Sequence, residues 1–389
     1  MSVHLSAPLQ ARQARDGQPA APENGNAAII AELSRRYASA ADTKITTYDF
    51  IELAVAAGLR VSHTLEFTVK RIKPDYYLGS GQVDEICQHA RETGVELVVI
   101  NAPLSPVHQR NWAERLKMPV LSRYDLIFAI FDQNARTAEG QLQVEMARLR
   151  YELPRIVSSY EALDPLAGGI GTLGPGEQLT ERIKRRHRRR IYDIEQKLEK
   201  LRKQRALRRQ RRSRSGIFIA SLVGYTNVGK STLLNRLTGS GVLVADQYFA
   251  TLDPTARSLR LPDGGKILLT DTVGFLDDLP PELVESFRAT LEEMEGASLL
   301  IHLADASHGR VAMQIDSVRK IIGEIGLAET DELLVFNKTD RADAETRTEL
   351  EQNYPEALFV SAKTGEGIRE LLARLVEKHA KSGKVYDPE

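Results

Sequence analysis

The sequence predicts an α/β protein: an N-terminal α/β domain, a helical linker, and a second, doubly wound α/β domain. Three observations carry that expectation. Apolar β-type runs alternate with helical patterns in two blocks, residues 27–154 and 217 onward, the order that yields largely parallel sheets. Between the blocks lie a glycine-rich stretch and a long basic segment of helical composition. At 389 residues the chain is too long for one core, so two or three domains are expected.

Taken in order, residues 1–26 are rich in Ala, Pro, Gln and Arg and read as a disordered tail without the apolar core of a signal peptide. Residues 63–70 alternate as a strand does. Residues 83–93 are helical, Gly94 breaks them, and residues 97–100 form a short strand. Pro103 and Pro106 mark a turn, residues 107–117 a helix, and residues 119–123 a strand. Gly79-Ser-Gly81 reads as a structural turn ahead of a second nucleotide site. Residues 141–151 are helical and are expected to break at Pro154. Residues 167–177 hold five glycines and one proline in eleven positions, which predicts a loop. The basic segment that follows carries an apolar stripe, Ile183, Ile191, Ile194, Leu198 and Leu201, for packing on a neighbour. Strands are expected at residues 217–224, 266–270, 298–305, 332–338 and 357–361, with a helix at 231–239. The domain division is then tail 1–26, N-terminal α/β domain 27–154, glycine-rich loop and basic helix 155–215, nucleotide domain 216–380 and tail 381–389.

Charge is unevenly placed. The chain balances 53 Lys/Arg against 53 Asp/Glu, yet residues 181–214 hold 17 basic and 4 acidic residues, a net of +13. That segment suits a polyanionic partner, with Arg185, Arg186, Arg189 and Arg190 as its face; a solvated basic helix is the plainer alternative. Cys87 is the one cysteine, so no internal disulfide is possible, a reducing cytoplasm fits, and a buried, unreactive thiol is expected. No apolar run is long enough to span a bilayer, and stable membrane insertion is not expected.

The chemistry concentrates in the second block. Gly224-Tyr225-Thr226-Asn227-Val228-Gly229-Lys230-Ser231, followed by Thr232, matches G-x-x-x-x-G-K-[ST] between a strand and a helix. Such a loop curls backbone N–H groups around phosphate at a helix N-terminus. Lys230 can then reach the β- and γ-phosphates, and the Ser231 hydroxyl can ligate Mg²⁺. The base is read elsewhere, by Asn337-Lys338-Thr339-Asp340 and Ser361-Ala362-Lys363. A carboxylate at Asp340 accepts two hydrogen bonds from guanine, whereas adenine offers no such donor pair. Asn337 braces the site, the Lys338 stem covers the base, and the backbone at Ser361–Lys363 meets the base oxygen. Asp271-Thr-Val-Gly274 ends a strand, placing Asp271 for the metal and the Gly274 amide for the γ-phosphate. Phe249-Ala-Thr251-Leu-Asp-Pro-Thr255 lies between; Thr251 is the expected metal-binding switch threonine and Thr255 its competitor. These residues predict GTP as substrate, GDP as product and Mg²⁺ as cofactor, with Lys230, Thr251 and Gly274 at the reacting phosphate.

Taken together, these motifs resemble those of translation-factor-class P-loop GTPases. GYTNVGKSTLLN, FATLDPTAR and DTVGFLDDLP narrow the resemblance to the HflX family within the Obg–HflX group. KPDYYLGSGQVDEI, LSPVHQRNW, ARTAEGQLQVEMARLRYELPR and GGIGTLGPGE extend it through the N-terminal half, from about residue 54 onward. The likeness breaks after GPGE, where Gln178-Leu179-Thr180-Glu181 departs from the family pattern. The resemblance implies a cytoplasmic, monomeric GTPase that binds the large ribosomal subunit and its rRNA and splits or rescues stalled or idle ribosomes. Charge and motifs alone leave two other readings open. One is a GTP-dependent switch acting through proteins only. The other is a phosphoryl-transfer enzyme, against which the guanine motifs argue.

Overall fold

In the computed structural model, the described residues are 27–35, 40–161, 175–214, 216–239, 255–272, 274–276, 278–291, 294 and 296–383. The chain divides into two compact units, Met1–Ala129 and Ile130–Glu389.

The first unit carries β1 (Ala27–Arg35), α1 (Ala40–Ala56), β2 (Arg60–Val69), α2 (Ser80–Thr93), β3 (Leu97–Ile100), α3 (Pro106–Leu116) and β4 (Val120–Ser122), and then enters α4 (Arg123–Asn134). Its four strands lie in the order β2-β1-β3-β4, all parallel. β3 is buried along its whole length, as its uninterrupted LVVI run requires of a central parallel strand. Ile29, Ile86, Cys87, Val98, Ile100 and Trp112 share one core. The Cys87 thiol is therefore the buried, free group expected. Gly79 caps α2, its N–H donating to Gln82 Oε1 at 3.1 Å, in keeping with the turn reading of Gly79-Ser-Gly81. α3 starts where the Ser105 hydroxyl accepts from the His108 N–H and Pro106 fills the first turn.

The second unit opens with α5 (Ala138–Glu161) and α6 (Pro175–Arg214). Two expectations change here. α5 runs through Pro154 rather than breaking. The proline forfeits the one helical bond to Arg150 O, and beside it the Arg155 guanidinium donates to Tyr151 O (3.3 Å) and lies 3.5 Å over the Tyr151 ring. α6 begins at Pro175, inside the stretch expected to be loop, because proline is pre-organised for a helix's first turn. The remaining residues of the glycine-rich stretch, up to Gly174, lie outside the described residues.

The rest is β5 (Ile219–Gly224), α7 (Lys230–Thr238), β6 (Thr255–Arg260), β7 (Lys266–Asp271), α8 (Pro281–Leu291), β8 (Leu299–Asp305), α9 (Val311–Glu324), β9 (Glu332–Asn337), α10 (Ala344–Asn353), β10 (Leu358–Phe359) and α11 (Ile368–Ser382). The sheet order is β10-β9-β8-β5-β7-β6. All neighbours are parallel except β6, which joins β7 as an antiparallel edge through the turn at Pro262–Gly265. β6 escapes a periodicity reading because Thr-Ala-Arg-Ser-Leu-Arg is polar along an edge. This is the doubly wound domain expected from the sequence. β5 lies centrally, with its successors in sequence on both flanks, so the crevice at its C-terminal end is the topological switch point.

Candidate functional site

That crevice gathers the residues singled out by the motifs. β5 delivers Gly224, and the loop to α7 winds through Tyr225, Thr226, Asn227 and Val228 to Gly229, the helix cap at φ 90°. A side chain at Gly229 would strain this backbone and press into the Asn337 amide. The loop's entrance is pinned to the end of the β7 segment. Thr226 N–H donates to Phe275 O (2.7 Å), and Phe275 N–H donates to Gly224 O (3.1 Å). The Phe275 ring is buried.

Lys230 opens α7 with its side chain buried. Its ammonium donates to Gly224 O (3.1 Å) and Tyr225 O (2.7 Å). Desolvation pushes its pKa down to about 8, and the Asp271 charge opposes that fall. Ser231 Oγ donates to Asp271 Oδ2 at 2.8 Å. The other oxygen, Oδ1, takes the Thr272 N–H at 3.0 Å, while Thr272 Oγ1 anchors on Leu222 O at 2.6 Å. Gly274 lies against the tip of this lysine: an added Cβ would stand 3.0 Å from Lys230 Nζ and 3.0 Å from Thr226 Cγ2. Thr232 follows Ser231 in the first turn of α7.

The second cluster comes from β9 and the loop after β10. Asn337 is buried and bridges the two clusters: its Nδ2 donates to Val228 O (2.7 Å), and its Oδ1 accepts from Ala362 N (2.9 Å). Lys338 holds a left-handed backbone at φ 61° and pairs through Nζ with Asp305 Oδ2 at 2.8 Å. Asp340 is exposed, and its Oδ1 accepts from Ser361 Oγ at 2.6 Å. Lys363 is exposed beside them. Phe249 and Thr251 lie outside the described residues; the competitor Thr255 starts β6, in register opposite Asp271.

Two contributors escaped the sequence reading. Asp305, at the end of β8, also accepts from Ser307 N–H (2.9 Å) and Ser307 Oγ (2.7 Å), so it fixes the Lys338 ammonium from below. Arg236, on α7, donates to Ala362 O (3.0 Å) and to Lys363 O, tying the phosphate-loop helix to the base loop. Neither belongs to a motif, and Arg236 lies 126 residues from its partner Ala362. Among the described residues, no cluster of three or more His, Cys, Asp or Glu side chains is gathered for a metal ion.

Comparison with known proteins agrees with this geometry. Three family models match in succession: GTP-binding GTPase N-terminal over residues 46–132, GTP-binding GTPase Middle Region over 134–212, and 50S ribosome-binding GTPase over 219–338. GTPase HflX of Magnetococcus marinus is 43% identical over 328 residues, covering 84% of this chain and 76% of the relative. GTPase HflX of Escherichia coli K12 is 42% identical over 332 residues, covering 85% and 78%. The crystal structure of SsGBP in complex with GDP superposes with a TM-score of 0.50 at 23% identity, covering 92% of this chain and 99% of that one, a likeness of fold. A site that can cradle a triphosphate and read guanine thus stands in a chain two-fifths identical to these relatives over most of both lengths, and the chain belongs to the HflX family of GTPases, binding GTP and hydrolysing it to GDP.

Proposed function

We propose that this GTPase works on the ribosome: it binds the large subunit through rRNA, hydrolyses GTP slowly alone and faster in that complex, and serves to split or rescue stalled or idle particles. The observation that carries the proposal is the two-faced character of α6. One side turns the apolar stripe inward, with Ile194 fully buried, while Arg182, Arg185, Arg186, Arg188 and Arg189 stand exposed on the other. A helix whose packing needs are met on one face has no structural use for five arginines on the other. A phosphate backbone does. Arg190 must be withdrawn from that face: its guanidinium is committed to both oxygens of Glu145, at 2.6 Å each.

At the nucleotide, Gly224–Thr232 would wrap the phosphates, with Lys230 exchanging its two carbonyl partners for phosphate oxygens, which are stronger acceptors. Asp340, Asn337, Lys338 and the Ser361–Lys363 segment would hold guanine, with Phe249 on the same ligand. The Ser231 hydroxyl and Asp271 carboxylate, 2.8 Å apart, are an all-oxygen pair that fits Mg²⁺, with Ser231 and Thr251 as direct ligands and Asp271 holding the ion through water. Bound there, the ion would supply charge neutralisation at the β- and γ-phosphates. Gly274 would offer its amide to the γ-phosphate. The next residue, Phe275, has no polar atom to position a water and its ring is buried, which supports intrinsic turnover on the order of 10⁻³ s⁻¹ or below. No helix among the described residues is long and apolar enough to cross a membrane. A cytoplasmic monomer, organised in the domains read from the sequence, completes the proposal.

The test is Arg186→Glu with Arg189→Glu, two exposed arginines clear of the helix pairing. Co-sedimentation with 50S subunits should fall and lose part of its salt dependence, while GDP affinity holds. Unchanged ribosome binding would reduce α6 to a solvated face and favour a switch acting through proteins alone.

A further inference from the structure

Tyr192 sits in the middle of α6 and is 60% exposed, the most exposed large apolar side chain among the described residues. On a helix of 3.6 residues per turn it points roughly 160° away from the buried Ile194, straight off the face opposite the stripe. Arg185, Arg188 and Arg189, at i−7, i−4 and i−3, fall within roughly 60° of it on the same face. Of the acidic residues nearby, Glu181 pairs with Arg185 (3.2 Å), Glu195 with Arg150 (2.8 Å) and Glu199 with Lys203 (3.6 Å), while the exposed Asp193 acts on Arg190 through its charge. Arg188 and Arg189 form no ion pair among the described residues, so the cations beside the ring remain available to an incoming anion.

A tyrosine gives this position nothing that helix formation needs. Its helix propensity is below that of the Arg, Lys and Gln around it, and it stands mostly in solvent. A flat π-face held above a row of guanidinium groups is the arrangement by which proteins hold single-stranded RNA. The cations take the phosphates, and the ring stacks on a base. In an A-form duplex the base faces are already stacked on one another and only edges and backbone are presented, so the ring selects a base that is already unpaired.

We infer that Tyr192 is a base-stacking residue, and that α6 engages an unpaired nucleotide of its RNA partner with Arg185, Arg188 and Arg189 on the flanking phosphates. The inference rests on the rRNA contact proposed above and goes beyond it, since charge alone would bind duplex and single strand alike.

The experiment uses the full chain, with two probes. One is the 50S subunit, with the protein loaded with a non-hydrolysable GTP analogue. The other is a protein-free 12-nucleotide oligo(A), set against an abasic strand carrying the same phosphates. Wild type should prefer oligo(A) over the abasic strand by about 5- to 150-fold, the range expected for one stacked base. Tyr192→Phe should keep that preference. Tyr192→Ala should lose it, and should weaken 50S binding without altering the slope of affinity against salt, because no phosphate contact is removed. Arg188→Glu with Arg189→Glu should lower affinity for both strands and flatten the salt slope by about 1.4. Equal wild-type affinity for the two strands, or an intact preference in Tyr192→Ala, overturns the stacking role while the arginine result leaves RNA binding standing. A loss of 50S binding in Tyr192→Ala without any base preference assigns the ring to a ribosomal protein and also overturns it. If the arginine variant changes neither probe, the RNA contact itself falls.

Discussion

Truncating Asn337 to alanine should separate the two halves of the nucleotide site. Its side chain is 2% exposed and makes two bonds, donating to Val228 O at 2.7 Å and accepting from Ala362 N at 2.9 Å. Removing it strands one carbonyl and one amide, each at about 1–3 kcal/mol when buried. A water can enter the small polar gap, which holds the sum near the lower end, about 2–4 kcal/mol. Without nucleotide, the two loops relax and let solvent reach both groups. The cost is then felt when ligand draws the loops back together, so it appears in affinity. GDP binding should weaken by roughly 30- to 1,000-fold, measured with a fluorescent GDP, and the thermal stabilisation conferred by GDP should shrink in step. Asn337→Asp is the sharper variant. It preserves shape and the acceptor for Ala362 but turns a carboxylate toward Val228 O, so it should bind at least as weakly as the alanine. An alanine variant within about three-fold of wild type would refute the bridge as the element that aligns phosphate and base sites.

Three further outcomes follow from the same geometry. Asp340→Asn should lower GTP affinity by about two orders of magnitude and favour xanthosine triphosphate, whose carbonyl suits an amide; a variant that still prefers GTP would sink the base assignment. Phe275→Gln should not accelerate hydrolysis in single-turnover assays, since its backbone is tied to Gly224 and Thr226 and its side chain points into the core. It should instead cost about 1–3 kcal/mol of stability for a buried amide, and a gain above about ten-fold in rate would contradict this. Burial works to raise the Glu332 pKa, but the His302 hydrogen bond and the His302 and Arg319 charges outweigh it and hold the carboxyl below its ordinary value. A carboxylate depressed on folding stabilises the protein above its unfolded pKa and loses that contribution as pH falls through the folded value. Urea melts across the acid limb should therefore show a steeper loss for wild type than for Glu332→Gln; parallel losses would remove this ion pair from the acid response.

The motifs proposed here for the nucleotide were legible in the sequence because they are built from local backbone demands. A glycine at φ 90° before Lys230, a carboxylate at a strand's end and an Asn-Lys-Thr-Asp turn each mark their own positions. Strand placement was readable where burial on both faces demands an unbroken apolar run, as in β3, β5 and β8. It missed β1, equally buried, and the polar edge strand β6, and Pro154 is carried inside α5 without a break. What the tertiary structure alone decided is which side chains meet. Asn337 reaches Val228 across 109 residues because β9, β8 and β5 are neighbours in the sheet, and the same order lets Asp305 hold Lys338. Arg190, four residues before the buried Ile194 and so on its side of the helix, finds its partner only in the Glu145 that α5 brings to it. Motifs record what one stretch of backbone requires of its own residues; partners are chosen by strand order and helix packing, which no single stretch contains.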